Sequence, residues 1–385
     1  MLLKHGLLGE YKFSGKNGAL DFIRQTGCIQ FDPVDICGRN AELTLQSRVS
    51  GFTKNTLSDL LYIDRKLFDY PDKNLSVIPL EDWSYFERYR KAARDNMKQY
   101  PEMKLLIKRA RSFIEANGAV CSGGINIKGD SYWRSAIHWS AGNKLSRSVL
   151  EQMYSTGELV IHHKKGTRKY YDLSVRHIPE NILNAPEPLH EEFDHQKWRV
   201  LRRIGAVGLL WNRPSDAFLN IWGLDNEIRG RIFKALLDEK MIMPLAVEGL
   251  HDLFYFKTED AALIDAAARN TESLPRCELI APLDCFLWDR KMIKAIFNYE
   301  YTWEIYTPPQ KRKYGVYVLP LIYGDNFIGR LEAICEAKTE TLIIKNIWFE
   351  ESIKQTRKIQ KAVEKRLESF AAFNGCKKIN RYSHS

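Results

Sequence analysis

The sequence predicts an α+β fold, and three observations carry that prediction. An order of helix, helix and two short strands recurs three times before residue 270, from about Pro275 the composition turns aromatic and β-branched, and a basic helical stretch follows near the end. The recurrence is one of element order and not a sequence repeat of fixed period.

In the first instance Ala19–Thr26, Asn40–Val49 and Asn55–Tyr62 read as helices, the last capped by Thr56 or Asn55. The β-leaning runs Lys66–Tyr70 and Leu75–Pro79 follow, parted by the turn Pro71-Asp72-Lys73-Asn74. After the charged helix Leu80–Gln99, the amphipathic Met103–Ala116 ends at Asn117-Gly118, a favourable helix stop. Leu145–Thr156 then sets Leu145, Val149, Leu150 and Met153 on one stripe and Lys144 with Arg147 on another. Its strands are Glu158–His163 and Arg168–Leu173, joined by Lys164-Lys165-Gly166-Thr167. The third instance has helices at Glu192–Val207, after Pro214-Ser215 and at Asp225–Glu239, then strands Met241–Val247 and Leu253–Lys257. Helices followed by a two-stranded wing are the layout of a winged helix-turn-helix, here three in tandem.

Beyond Pro275, the runs Glu300–Tyr306, Tyr314–Tyr323, Phe327–Ala333 and Thr341–Trp348 read as a C-terminal antiparallel β-barrel-like domain, closed by a final helix Ile353–Phe373. The expected divisions are 1–99, 100–180, 181–270 and 271–385, with Pro179–Pro188 as the best linker. A length of 385 residues suits several domains.

Composition narrows the function. A hydrophobic share of 44% with 28% charged residues is that of a globular chain and excludes a disordered or fibrous one. No run approaches the ~18 apolar residues of a membrane helix, and the first residues lack a signal peptide's apolar core. Seven dispersed cysteines without a Cys-x-x-Cys pair indicate reduced thiols, with neither a disulfide framework nor a zinc site. The expected location is the cytoplasm, at the nucleoid.

The net charge is +10. Such an excess serves solubility or marks a polyanionic partner, and its distribution favours the partner. Residues 101–180 hold 13 basic against 7 acidic groups and residues 351–385 hold 9 against 3, whereas 181–270 hold 11 against 14. Two separated basic patches suit a surface that neutralises phosphates.

The segment Gly27-Cys28-Ile29-Gln30-Phe31-Asp32-Pro33 is the strongest candidate for chemistry. If extended, it puts Ile29 and Phe31 on a core face and projects Gln30 with Asp32 from the other. An amide beside a carboxylate can hold a water, Asp32 accepting a proton and Gln30 orienting the nucleophile. The alternative is that Asp32 with Pro33 forms an ordinary helix start, cap plus first residue.

The runs IQFDPVDICGRNAELTLQSR from Ile29, LIAPLDCFLWDR from Leu279 and YGVYVLPLIYGDNFIGR from Tyr314 resemble the winged-helix DNA glycosylase family of bacteria, across about Gly18 to Phe349. The resemblance implies three tandem winged helices with a β-barrel-like lobe around a DNA channel, and excision of bulky N7-alkylated purines with unhooking of interstrand crosslinks. Gln30-Phe31-Asp32 matches the family's Gln-x-Asp branch, which implies Asp32 as general base and electrostatic stabiliser and Gln30 as the group that orients water, with no cofactor. Two departures stand out. Many relatives have a histidine pair where this chain has Ala41 and Glu42, and a tryptophan common near the end of that run is missing, the sequence reading Gln46-Ser47-Arg48.

Candidate DNA contacts are Lys164, Lys165, Arg168 and Lys169 on the second hairpin, Lys144 and Arg147 on the helix before it, and Arg39 with Arg48 near the catalytic segment. Gly123-Gly124 and Tyr132-Trp133-Arg134 could line a channel. His162 and His163, adjacent in a strand, are expected on opposite faces and so unable to share a metal. Asp289 with Arg290 reads as a buried ion pair of the β-domain. The expectation is therefore a monomeric DNA-repair glycosylase acting on double-stranded DNA with alkylated or crosslinked bases, without a membrane partner. The alternatives are a non-enzymatic winged-helix DNA-binding regulator, which would not need Gln30 beside Asp32, and a structural interaction protein.

Overall fold

The computed structural model describes residues 1–127, 145–269 and 274–382. The chain packs as two compact units. One comprises Met1–Leu57, Asp72–Val77 and Gln196–Ser385, and the other Ser58–Pro71 with Ile78–His195. Divisions placed at 99, 180 and 270 therefore do not separate the units, because the strand at 72–77 belongs with sequence more than a hundred residues later. Pro179–Pro188 does not part them either; it contains the short helix Glu180–Leu183.

In the first unit the helix Gly15–Thr26 ends at Gly27, whose φ of +74° favours a residue without Cβ. The strand Ile29–Gln30 pairs antiparallel with the second half of the first expected hairpin, Ile29 opposite Val77 and Gln30 opposite Ser76. The helix Asn40–Gln46 stops early, since Val49–Ser50 leaves it to pair in parallel with Phe13–Ser14.

Strands Leu67–Asp72 and Asn74–Pro79 leave Lys73 alone between them, with Asn74 left-handed at φ +83°. Asp72, expected in the turn, is thus a strand residue, and the reason is electrostatic. Arg199, Arg202 and Arg203 share one face of the helix Glu192–Val207 by their i, i+3, i+4 spacing, and all three reach the buried Asp72. Arg199 and Arg203 lie 2.6 and 2.5 Å from Oδ1, and Arg202 lies 3.4 Å from Oδ2. Burial alone would raise the Asp72 pKa, but the three guanidiniums outweigh it and hold the carboxyl well below the carboxylate range.

The C-terminal sheet runs in the order Cys277–Leu279, Val318–Tyr323, Asn326–Glu336, Thr341–Phe349, Lys378–Arg381. The first three pairings are antiparallel and the last is parallel, because the helix Arg357–Phe373 carries the chain across before the final strand. A core of Leu319, Leu331, Leu342, Leu367 and Phe370 joins that helix to the sheet. Glu300–Tyr306 is not a strand as expected. It holds a single 3-10 turn, and the Glu304 carboxylate accepts from the backbone N–H groups of Lys313, Tyr314 and Gly315, so those donors are satisfied without a ladder. Asp289 is not ion-paired with Arg290; it caps the helix Arg290–Phe297 through Met292 N and accepts from Trp211 Nε1 at 2.7 Å.

In the second unit the helix Glu102–Asn117 buries Met103, Ile107, Ala110 and Ile114, a spacing that keeps one stripe inside. The helix Leu145–Ser155 is buried nearly all round and leaves Arg147 exposed. Strands Leu159–Lys165 and Arg168–Leu173 turn at Gly166-Thr167, where Gly166 takes φ +61°. Tyr154 donates to Asp69 O at 2.5 Å and Tyr70 to Ser155 O at 3.0 Å, tying the helix to the segment 58–71.

Asp72→Asn leaves three inward guanidiniums without their anion and should destabilise the protein by about 3–5 kcal/mol in urea unfolding. The wild-type contribution of Asp72 is fully present above its ordinary value of 3.8 and fades as pH falls toward its depressed folded value, so the loss should be constant from pH 5 upward.

Candidate functional site

The candidate catalytic segment is held from both ends. Before it, Arg202 donates to Gly27 O at 2.7 Å, and its guanidinium lies where a Cβ at Gly27 would stand. After the paired strand, Phe31 N donates to Leu75 O at 2.8 Å and extends the antiparallel ladder past Gln30. Val34, Ile36 and Cys37 then pack on the C-terminal sheet, where Ile36 O accepts from Cys335 N. Asn40 bridges two parts of the sequence: its Nδ2 donates to Gln30 O at 2.8 Å and its Oδ1 accepts from Leu283 N at 2.8 Å.

Asp32 is half-buried and starts no helix; the next begins at Asn40. Its Oδ1 accepts from Val34 N at 2.9 Å, a local turn that fixes the carboxylate. Among the described residues no other hydrogen bond reaches this carboxylate. Burial raises its pKa above the ordinary value and the Val34 N–H opposes that, so the group is a stronger base than a solvated aspartate.

Gln30 does not stand free on the outer face as expected. It is 5% exposed, and its Oε1 lies 3.5 Å from Lys73 Nζ. Lys73, also 5% exposed, sits 5.1 Å above the Trp288 ring, and Arg203 sits 5.3 Å from the same ring. Burial, then the charge of Arg203, lowers the Lys73 pKa to about 8. Read locally, Pro71-Asp72-Lys73-Asn74 is a polar turn, and nothing in it signals a buried lysine beside Gln30.

Arg48 is not available to DNA. It is 0% exposed, pairs with Asp284 at 2.6 Å, donates to Thr44 O and Ser47 Oγ and covers the Phe22 ring. The charge expected to face phosphate instead joins the Leu279–Arg290 run to the helix Asn40–Gln46. Arg39 is partly exposed, with Asp35 and Glu42 each at 3.5 Å. Glu42 and Gln46 are both buried, so the two departures from the family pattern act inside the fold. Glu42 Oε2 accepts from Arg39 N at 3.2 Å as a helix cap, and Gln46 Oε1 accepts from Arg366.

In the second unit the expected basic cluster divides. Lys164 pairs with the buried Asp69, and Lys169 with Glu151 at 3.1 Å, so both serve the hairpin's own packing. Lys165, Arg168 and Arg147 are exposed. Lys144 and Tyr132-Trp133-Arg134 lie outside the described residues. His162 and His163 do not take opposite faces: a bulge between Ile161 and His163 breaks the alternation and brings their Nδ1 atoms to 2.7 Å. His162, Asp172 and His177 then cluster closely enough to hold a cation, although Asp172 already accepts from Arg176, His177 and Leu173 N. His5, Asp284 and Cys285 form a second such group, fully buried, in which Asp284 is taken by Arg48.

No helix among the described residues is long and apolar enough to cross a membrane. The fold is similar to that of the DNA glycosylase AlkZ of Streptomyces sahachiroi, with a TM-score of 0.61 at 13% identity over 99% of this chain and 96% of that one. The model of the AlkZ-like DNA glycosylases matches residues 23–373, from the last turn of the helix Gly15–Thr26 through the end of the helix Arg357–Phe373. That match takes in the candidate catalytic segment and all three runs that resemble the family, and it sets aside the regulator and the interaction protein. The chain belongs to the AlkZ-like DNA glycosylase family and is a DNA-repair glycosylase.

Proposed function

We propose that this glycosylase hydrolyses the N-glycosidic bond of N7-alkylated purines in duplex DNA and unhooks interstrand crosslinks made through the same atom. The observation that carries the reading is the half-buried Asp32 carboxylate, fixed by one backbone N–H and otherwise free of hydrogen bonds from the described residues. Alkylation at N7 leaves the base cationic and already a good leaving group, so little acid assistance is needed. Water attacks C1′ as the C1′–N9 bond breaks. The bond's electron pair leaves with the base and cancels its charge, while Asp32 takes the water proton and offsets the positive charge on the sugar. Gln30, anchored through Asn40 and Lys73, orients the water.

DNA is held by exposed cations rather than by the full set read from the sequence. Arg147, Lys165 and Arg168 on the second unit are phosphate ligands in this reading. Arg357, Lys358, Lys361 and Lys365 form an exposed face of the last helix and supply a further patch. The helix, helix, hairpin runs are read as winged helices, and the enzyme as a monomer that needs no cofactor.

Asp32→Asn keeps the acceptor for Val34 N but cannot take a proton. Excision from a duplex with one N7-methylguanine should fall by about 10²–10⁴-fold, read as alkali-labile sites, with DNA affinity unchanged. Turnover near the wild-type rate would sink the assignment. In the wild type the rate should rise as Asp32 ionises, with the acid limb shifted upward from that of a solvated aspartate because burial raises its pKa.

Lys165→Ala with Arg168→Ala should weaken DNA binding and lower its logarithmic salt slope by about two. Lys164→Ala, by contrast, should reduce stability through the loss of Asp69 pairing and leave the slope nearly as it was. Equal effects on the slope would refute this division of the hairpin lysines.

A further inference from the structure

Lys73 has an unusual setting for a buried cation. Its neighbour Asp72 is occupied by Arg199, Arg202 and Arg203, and among the described residues no carboxylate lies within ion-pair distance of the Lys73 ammonium. Its hydrogen-bond acceptor there is the amide oxygen of Gln30, and its apolar wall is Trp288. The charged and titratable groups that face it come from four elements. Arg203 on the helix Glu192–Val207 and Arg290 at the start of its helix repel it, while Asp216 in the 3-10 turn after Ser215 and Cys28 before the strand Ile29–Gln30 favour its charge.

An ammonium carries donors alone. If the Gln30 amide turned over, its NH2 group would meet that ammonium, donor against donor, in a place largely closed to water. The amide is therefore locked with Oε1 inward.

We propose that Lys73 is a positioning residue that fixes the orientation of the Gln30 amide, so that Gln30 meets the attacking water with its N–H donors only. The inference rests on the assignment of Gln30 to catalysis and divides the labour within it. Gln30 donates to one lone pair of the water, Asp32 accepts one of its protons, and the remaining lone pair points at C1′. Gln30→Glu should then fail. It would form a good ion pair with Lys73, yet it would offer the water an acceptor where a donor is needed.

The test is single-turnover excision on a duplex holding one N7-methylguanine, with binding measured separately. Lys73→Met should lower the rate by about tenfold or more and change DNA affinity by no more than about twofold. In a Gln30→Ala background the same substitution should cost nothing further, because a residue that acts through Gln30 has nothing left to position. A merely structural lysine would give independent, multiplicative losses, and that result overturns the proposal. The wild-type rate should fall as pH rises through about 8, where Lys73 loses its proton, and this limb should vanish in Gln30→Ala. That comparison holds even if Lys73→Met does not fold, and a limb that persists in Gln30→Ala, or full activity of Gln30→Glu, refutes the inference. Absence of excision by the wild type overturns the catalytic reading and this one together, whereas excision with independent losses overturns this one alone.

Discussion

The carboxylate of Asp72 accepts from three guanidiniums of one helix face, and the proposed catalytic segment hangs from that cluster by short links. Arg202 continues past Asp72 to the carbonyl of Gly27, two residues before the strand Ile29–Gln30. Lys73, next in sequence to Asp72, reaches the Gln30 amide, and the strand that follows pairs with Ile29 and Gln30. Desolvating three cations around one anion is unfavourable unless geometry is nearly ideal. Helical spacing on one side and a tight turn with a left-handed Asn74 on the other supply that geometry.

A second buried pair works in parallel. Arg48 and Asp284 join the end of the helix Asn40–Gln46 to the run before the helix Arg290–Phe297, and Asn40 adds a neutral bridge between Gln30 and Leu283. Both clamps spend basic residues on the interior. Arg366 does the same between Glu278 and Gln46. The net charge of +10 is thus an imperfect guide to the DNA-facing surface, since several of its arginines neutralise interior acids and never meet solvent.

Much of the fold was legible in the sequence. The helices Glu192–Val207 and Leu145–Ser155 and the strands Arg168–Leu173 and Leu253–Lys257 fall within a residue of where periodicity and caps place them. The failures have particular causes. Glu300–Tyr306 has the composition of a strand, but Glu304 satisfies the nearby backbone donors that a ladder would otherwise need. The bulge at His162 overturns an alternation that adjacency alone cannot break. The parallel pairing of Lys378–Arg381 depends on where a long helix delivers the chain.

By itself the sequence determined that Gln30 and Asp32 lie two residues apart beside a strand, that basic charge gathers in two stretches, and that three runs mark the family. Those are local or compositional properties, and period, cap and motif suffice to read them. Tertiary structure alone decided which cations face inward. Arg48, Lys164 and Lys73 each carry the same +1 as Arg147 and Lys165, and what separates them is a partner elsewhere in the chain: Asp284, Asp69 and the amide of Gln30. Charge is written in the sequence residue by residue, whereas burial is a property of what folds against it.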